Sequence, residues 1–394
     1  MIRTATHYSK ERDPRRAAEI AAHGALRKAH LDRADFVFVF AHPAYAEDYP
    51  LILERIAELT GTTQISGCSA FGIMTEDADL DEAPALGVLV AASDTCTAST
   101  HLISNLQESN YQAGLALGSQ IPAGFEENRL LCLFPDPYSF HGGAFFSALE
   151  QQAGFLPAAG GGASDNGVQA KGYSFGQARS SYDALGALLL SGSFRYEAGI
   201  AHSCVPIGDA LQITNAHGNK IFELDHRPAY DSLLEMLSSA HLNSAREIPE
   251  KVFLGLALGD FQTEFGHEDY FVSKIMDINT RKGFLTSVVP VRQGGFMTFA
   301  LRDRSQASQR LAVTLEELAQ RFEPGKAAFG LYFNCVTRGK NLFGEEGHDR
   351  KLIRQYFPDM PVLGFTSYGQ FAPVRGVNFF HHQTGTLLVI GEKS

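Results

Sequence analysis

The chain has 394 residues, 44 % hydrophobic and 20 % charged, with a formal net charge of −11. That length suggests two or three packed domains, and the negative sign argues against non-specific binding to a phosphate backbone. With 29 Phe and no Trp, phenylalanine must do most of the aromatic packing, and a Trp-based ligand platform is ruled out.

Met1–Ser9 has no basic start followed by an apolar core, so it does not read as a secretory signal. The longest apolar run, Ala184–Ser191, suits a buried strand and is far too short to span a membrane. Five cysteines lie far apart (Cys68, Cys96, Cys132, Cys204 and Cys335), without a CxxC pair. Their odd number and spacing point to reduced, buried thiols in a cytoplasmic protein rather than to a disulfide framework or a Cys-based zinc site.

Asp13–Ala29 reads as a helix capped by Asp13, with Pro14 at its first position. Phe36–Phe40 (FVFVF) is a strand buried on both faces. Asp48–Leu59 returns to helical spacing and stops at Gly61. Thr63–Ser66 runs into a Gly-rich turn, and Ala85–Ala92 is the strand beyond it. The order then recurs: strand Leu130–Phe134, helix His141–Ala153, Leu156–Ala159 entering a Gly-rich turn, strand Ala184–Leu190. Gly199–Ser203 is a further strand, and Asp225–Ser239 a helix. The polar stretch His241–Glu250 marks a domain boundary, and Lys251–Leu258 opens the next part. Val288–Ala300 reads as a hairpin around Gln293-Gly294-Gly295, and Thr314–Phe322 as a helix stopped at Pro324-Gly325. The order recurs a third time: strand Ala327–Phe333, helix Asp349–Phe357, Pro361–Leu363 into a Gly turn, and strand Thr386–Ile390. The fold expected is α/β (mixed α+β): repeated strand–helix–strand–Gly turn–strand units forming mixed sheets flanked by helices, in two modules.

The three Gly turns align. Ile65–Gly72 (ISGCSAFG) and Val362–Gly369 (VLGFTSYG) each give Gly, a large or polarisable residue, two small residues, an aromatic and Gly; Ala158–Asp165 (AAGGGASD) keeps the leading Gly and the small residues. A leading Gly permits positive φ or the close approach of another chain, and small residues after it leave open volume beside backbone N–H groups. Strand-end turns on a rigid scaffold commonly hold ligands. Tight turns in a duplicated fold would share the same pattern.

Other chemistry is sparse. No HxH or HExxH occurs, and the adjacent His381-His382 would point to opposite faces of a strand, so no metal site is expected. There is no GxSxG, and neither a Walker sequence nor GxGxxG opens a helix. Cys68 and Cys335 are the thiols a hydrolase would use, Cys335 lying near Arg338. Asp77, Asp79, Asp81 and Glu82 read as a solvated loop. A single axial His leaves little trace, so His202, His381 and His382 are the candidates for a haem ligand.

Taken together, several segments resemble the FIST family, named for F-box and intracellular signal transduction proteins. They are Ile65–Gly72, Gly160–Asp165 (GGGASD), Ala201–Gly208 (AHSCVPIG), Asn215–Asp225 (NAHGNKIFELD), Phe333–Gly339 (FNCVTRG), Pro361–Ala372 (PVLGFTSYGQFA) and His381–Thr386 (HHQTGT). The specificity lies in their order and co-occurrence. Two positions depart from the family pattern: Gln370 stands where Glu is usual, and His382 where Asn is usual. Gln370 keeps hydrogen-bonding capacity and loses the charge.

The resemblance implies a FIST N-type domain at 30–245 and a FIST C-type domain at 246–394. It implies a cytoplasmic sensory module that binds a small amino-acid-like metabolite and signals through a separate partner such as a histidine kinase, with no nucleic acid or membrane partner. Arg338 would hold a ligand carboxylate as a bidentate donor. Thr366, Ser367, Tyr368 and Gln370 would line the same pocket, Gly364 would let the backbone approach, and Cys335, His381, Gly67, Cys68 and Ser69 complete the expected ligand site. No cofactor is expected on this reading. A haem-bound nitric-oxide sensor and a Cys-dependent hydrolase are the alternatives.

Overall fold

The structure, a computed structural model, describes residues 1–81, 84–122, 128–165, 167, 170–239, 251–258, 270–323, 325–374 and 376–393. The boundary expected at His241–Glu250 lies outside the described residues. No helix among them is long and apolar enough to cross a membrane. The chain is a mixed α/β protein, with helices packed against mixed sheets.

Two compact units form. The first comprises Met1–Ile200, Ala312–Phe380 and Thr384–Ser394; the second comprises Ala201–Leu311 and His381–Gln383. In this grouping the third repeat assembles with the first two rather than with the segment preceding it.

The first unit is built on three six-stranded sheets of one design. In the first, Phe36–Ala41 pairs in parallel with Ile65–Ser69 and antiparallel with Leu86–Ser93, which pairs with Ile2–Ser9. In the second, Asn128–Pro135 pairs in parallel with Ala158–Gly161 and antiparallel with Ala184–Gly192, which pairs with Cys96–Ser104. In the third, Ala327–Cys335 pairs in parallel with Val362–Ser367 and antiparallel with Thr384–Gly391, followed in the sheet by Arg195–His202. Each sheet is completed by a hairpin from another repeat. Tyr173–Gly176 and Arg179–Tyr182 join the first, Gln370–Val374 and Val377–His381 the second, and Ile73–Thr75 and Asp79–Leu80 the third. The exchange is cyclic, so no repeat completes its own sheet.

Side-chain alternation explains why Phe36–Ala41 is apolar throughout. Phe36, Phe38 and Phe40 face a core shared by all three sheets, whereas Val37, Val39 and Ala41 face the helices Pro14–Ala29 and Tyr49–Thr60. In the shared core Phe40 lies 4.3 Å from Phe365 and 5.5 Å from Phe134, ring centre to ring centre, and Phe134 lies 6.3 Å from Phe333. Burying each such ring contributes about 1.5–3 kcal/mol, so this cluster is where the heavy use of Phe is spent. Asp13 caps the first helix as expected, accepting from the Arg16 amide at 2.7 Å.

The leading glycines sit inside strands. A Cβ on Gly67 would lie 1.8 Å from the Val39 carbonyl oxygen, and one on Gly160 would lie 2.0 Å from that of Leu133. Both have positive φ, at 151° and 156°. Close strand approach is therefore the reason for glycine at these two positions.

The second unit is an antiparallel sheet of seven strands. Cys204–His217 pairs with Phe296–Arg302 at one edge of the order and also with Lys220–Leu224, which closes the sheet on itself. The helix Ala229–Ser239 packs Leu233, Met236 and Leu237 on its core. It starts later than Asp225 because Arg227–Pro228 pairs as a strand with Glu223–Leu224. The expected hairpin over Val288–Ala300 has only one strand arm, Phe296–Arg302. Its turn instead bonds to Ile213, whose amide donates to the Gly295 carbonyl at 2.8 Å. The helix expected at Thr314–Phe322 runs over Arg304–Arg321, since Asp303 caps it by accepting from the Gln306 amide at 2.7 Å.

Candidate ligand-binding site

The three Gly turns meet at one end of the first unit and bond to one another. The Ser164 amide donates to the Ser69 carbonyl at 3.0 Å, and the Ser69 hydroxyl to the Ser164 carbonyl at 3.2 Å. The Gly162 amide donates to the Gly369 carbonyl at 3.0 Å, and the Tyr368 amide to the Gly162 carbonyl at 3.1 Å. The Thr366 amide closes the ring by donating to the Gly72 carbonyl at 2.8 Å. Backbone groups expected to face a ligand are thus spent between turns. Gly67, Cys68 and Ser69 are buried, and burial pushes the Cys68 thiol well up. Gly364 packs against Tyr332: a Cβ there would lie 2.7 Å from the Tyr332 carbonyl oxygen.

Ser367 and Gln370 also turn inward. The fully buried Gln370 amide donates from Nε2 to Ser367 Oγ at 2.7 Å and accepts at Oε1 from the Thr384 hydroxyl at 2.7 Å. Both ends of Gln370 are satisfied within the protein. The Tyr368 hydroxyl donates to Asp165 Oδ1 at 3.2 Å, the same oxygen reached by the Tyr138 hydroxyl at 3.1 Å.

Beside this ring lies a cavity of about 290 Å³. One wall is the first hairpin, with Phe71, Gly72, Asp79 and Asp81. The other is the end of the strand Ala327–Cys335 and the chain after it, with Tyr332, Asn334, Cys335, Arg338 and Asp349, and Thr366 also lines it. Alternation along the strand puts Tyr332 and Asn334 on the same face.

Arg338 lines this cavity but does not reach out as expected. Its Nη2 lies 3.1 Å from Asp349 Oδ1 and its Nε 3.3 Å from Oδ2, which also accepts from the Tyr332 hydroxyl at 2.8 Å. The bidentate role foreseen for a ligand carboxylate is taken by Asp349. Burial opposes the guanidinium charge, and attraction to Asp349 more than offsets it, holding Arg338 above its usual pKa. Burial pushes the Tyr332 hydroxyl well up, with Asp349 adding to the effect. Gly385 makes room for this group: a Cβ there would lie 2.1 Å from the Tyr332 hydroxyl.

The acidic cluster is only partly the solvated loop expected. Asp77 is exposed, but Asp79 is largely buried, ion-paired with Arg350. Burial raises the Asp79 pKa and Arg350 opposes that rise. Asn334 was not singled out by the sequence, although it lies in the quoted segment FNCVTRG. Its Oδ1 is buried without a hydrogen-bond partner.

In the second unit His202 and His381 come together, ring centres 6.1 Å apart, and His202 stacks on Tyr270 at 4.9 Å. Burial lowers the pKa of His382 to about 4. Among the described residues no group of three or more His, Cys, Asp and Glu is placed to hold a metal ion.

The FIST N domain matches residues 35–227 and the FIST C domain residues 229–373. The chain belongs to the FIST family. FIST domains are of the sensory type. The cavity takes its hairpin wall from the FIST N match and its strand wall from the FIST C match. Similar FIST-length relatives include the uncharacterized protein Rv0628c of Mycobacterium tuberculosis, 28 % identical over 386 residues, and the uncharacterized protein Mb0898c of Mycobacterium bovis, 25 % identical over 382. Each match covers 95 % of both chains. Among solved structures, a cyanuric acid hydrolase from A. caulinodans matches 48 % of this FIST chain and 70 % of its own at 11 % identity, with a TM-score of 0.29. That likeness is too low to carry an argument.

Proposed function

We propose that this FIST protein binds a small amino-acid-like metabolite in the cavity between the first hairpin and the strand end at Asn334, and passes its occupancy to a separate signalling protein such as a histidine kinase. The observation that carries this reading is the cavity itself. At about 290 Å³ it falls at the lower end of ligand-site volumes and mixes apolar walls with a few ionisable groups. The binding role moves from the Gly turns, which are locked together, to the space beside them. Arg338 shapes that space through Asp349 and is not the primary ligand contact.

Native mass spectrometry of the protein as purified tests the reading, together with thermal shift against the common amino acids. The Asn341→Trp variant fills the mouth from an exposed position. A bound small molecule in the wild type that is lost in this variant supports the cavity. Equal occupancy in both, or stabilisation by no compound together with no co-purifying mass, defeats it.

A second reading rests on the neighbouring imidazoles of His202 and His381. Haem taken up there would use one of them as its axial ligand and supply gas binding at the iron. A Soret band in the purified protein supports it. Colourless protein that takes up no added haemin counts against it.

A further inference from the structure

The charged groups around the cavity are already matched. Arg338 Nη2 lies 3.1 Å from Asp349 Oδ1, Lys340 Nζ lies 2.9 Å from Glu346 Oε1, and Asp79 is paired with Arg350. A ligand carboxylate or ammonium would have to compete for an ion that has a partner. Breaking the buried Arg338 pair would strand a charge. A neutral polar group enters without that cost, provided it finds hydrogen bonds.

Two neutral side chains on the wall keep a polar atom uncommitted. Asn334 and Thr366 are direct neighbours across the parallel strands Ala327–Cys335 and Val362–Ser367; both are half-buried and both line the cavity. Neighbouring strands lie about 4.8 Å apart, so the two side chains stand side by side. Asn334 Oδ1 is buried, but Nδ2 is accessible and has no hydrogen-bond partner among the described residues. Thr366 Oγ1 is likewise accessible and without a partner among them. A Cβ on Gly339 would lie 4.0 Å from Asn334 Nδ2, and one on Gly72 would lie 2.5 Å from Thr366 Oγ1. Both glycines line the cavity, so each polar atom sits where a neighbouring side chain has been left out. The fold does not call for this polarity. The strand registers make Ala41 and Pro135 the counterparts of Asn334 in the first two sheets, and both are apolar.

We propose that the cavity recognises a primary carboxamide, its carbonyl oxygen accepting from Asn334 Nδ2 and its N–H donating to Thr366 Oγ1. This rests on the cavity being the binding site and names the group that the site reads. An amide nitrogen can only donate, whereas a hydroxyl also accepts, so the pair offers a donor beside an acceptor. A carboxamide presents the complementary acceptor and donor on one edge and carries no charge. Ile73, Met74 and Phe365 on the same wall suit the methylenes that carry it. Among amino acids, asparagine and glutamine bear this group on the side chain, and their charged ends stay hydrated at the mouth.

Two matched pairs of probes test this on the full-length protein: glutamine with glutamate, and butanamide with butanoate. Each pair differs only in the nitrogen that the proposal reads. Calorimetric titration is expected to show binding by the amides, and binding at least 10-fold weaker by the acids. Thr366→Val keeps the shape of the side chain and removes the hydroxyl. It should weaken amide binding about 3- to 10-fold, the range for one neutral hydrogen bond, and Thr366→Ser should restore it. Asn334→Leu removes the other bond and should cost a similar factor; the Thr366 series carries the test should that variant fold poorly. Acids that bind as well as the amides, with binding lost in Asn341→Trp, overturn the carboxamide assignment and leave the cavity standing as a site. Amide binding unchanged in Thr366→Val overturns the assignment as well. Binding by neither amide also overturns it, and the co-purification experiment then decides the cavity independently.

Discussion

Arg338 and Asp349 form a buried ion pair, Nη2 to Oδ1 at 3.1 Å, with side-chain exposures of 0 % and 3 %. The Tyr332 hydroxyl supports the same carboxylate at 2.8 Å. Removing one partner leaves the other charge buried and unmatched. Asp349→Ala is therefore expected to destabilise the first unit by about 3–5 kcal/mol. Arg338→Met combined with Asp349→Leu should recover most of that loss, because both charges leave together. Chemical denaturation of the three proteins checks this. A double variant no more stable than Asp349→Ala alone would show that the pair is not the source of the loss. One consequence is that loss of ligand stabilisation in Arg338→Ala would not identify a ligand contact, since the fold beneath the cavity changes too.

The glycines that look like a ligand turn can be tested as packing residues. A Cβ at Gly67 or Gly160 would meet a carbonyl oxygen at 1.8 or 2.0 Å, both in backbone conformations that L side chains rarely adopt. Gly67→Ala and Gly160→Ala should each cost about 3 kcal/mol or more, at the upper end of overpacking losses. Gly143, in the helix Gly142–Ala153, is the contrasting case: a methyl group added there would have nothing within 4 Å. Gly143→Ala should change stability by less than about 1 kcal/mol, in the stabilising direction. Urea midpoints of the three variants give the comparison, and a mild Gly67→Ala would undo the close-approach explanation.

Repetition was the most legible feature of the sequence. FVFVF, LLCLF and AAFGLYF announce three equivalent strands, because a strand buried on both faces has no polar positions to spare. The cyclic exchange of hairpins was not legible. Ile73–Thr75 is only a short apolar run, and nothing local says that it pairs with Val362–Ser367 far along the chain. Ile2–Ser9 and Cys96–Ser104 carry no apolar run for a related reason: they are outer strands with polar residues such as Thr4, His7, Thr97 and Ser99. At the site, the segment around Arg338 was visible as a motif, yet its role was not. Whether a guanidinium meets a ligand or an internal carboxylate depends on Asp349, eleven residues on, and the sequence carries no sign of that pairing. Asn334 was hidden because an amide acceptor lacking a donor is a property of packing and not of composition.

Thiol reactivity separates a binding protein from a Cys-dependent hydrolase. All five cysteines are buried and none is in a disulfide. Burial pushes the thiols of Cys68 and Cys132 well up, which removes the thiolate a nucleophile needs. In native protein, iodoacetamide followed by peptide mass spectrometry should modify neither. Cys335, which lines the cavity, should be modified ahead of both, and a small molecule that occupies the cavity should slow it. Rapid native labelling of Cys68 would reopen the enzymatic reading for that residue.

Acid stability reports on His382. Burial holds its folded pKa at about 4, below the unfolded value of 6.5. A histidine whose folded pKa is depressed binds more protons when unfolded, so its contribution is fully present above about pH 6.5 and is lost as pH falls toward 4. Over that window the wild type should lose about 3 kcal/mol from this group, since each tenfold difference in proton affinity between the folded and unfolded states is equivalent to about 1.4 kcal/mol. His382→Asn, a polar replacement of similar shape, does not titrate and should lose less. The difference between the two stability profiles isolates the imidazole from the carboxylates, which titrate in both proteins. Parallel profiles between pH 6.5 and 4 would mean that His382 is hydrated in the folded state and that its burial contributes nothing to acid sensitivity.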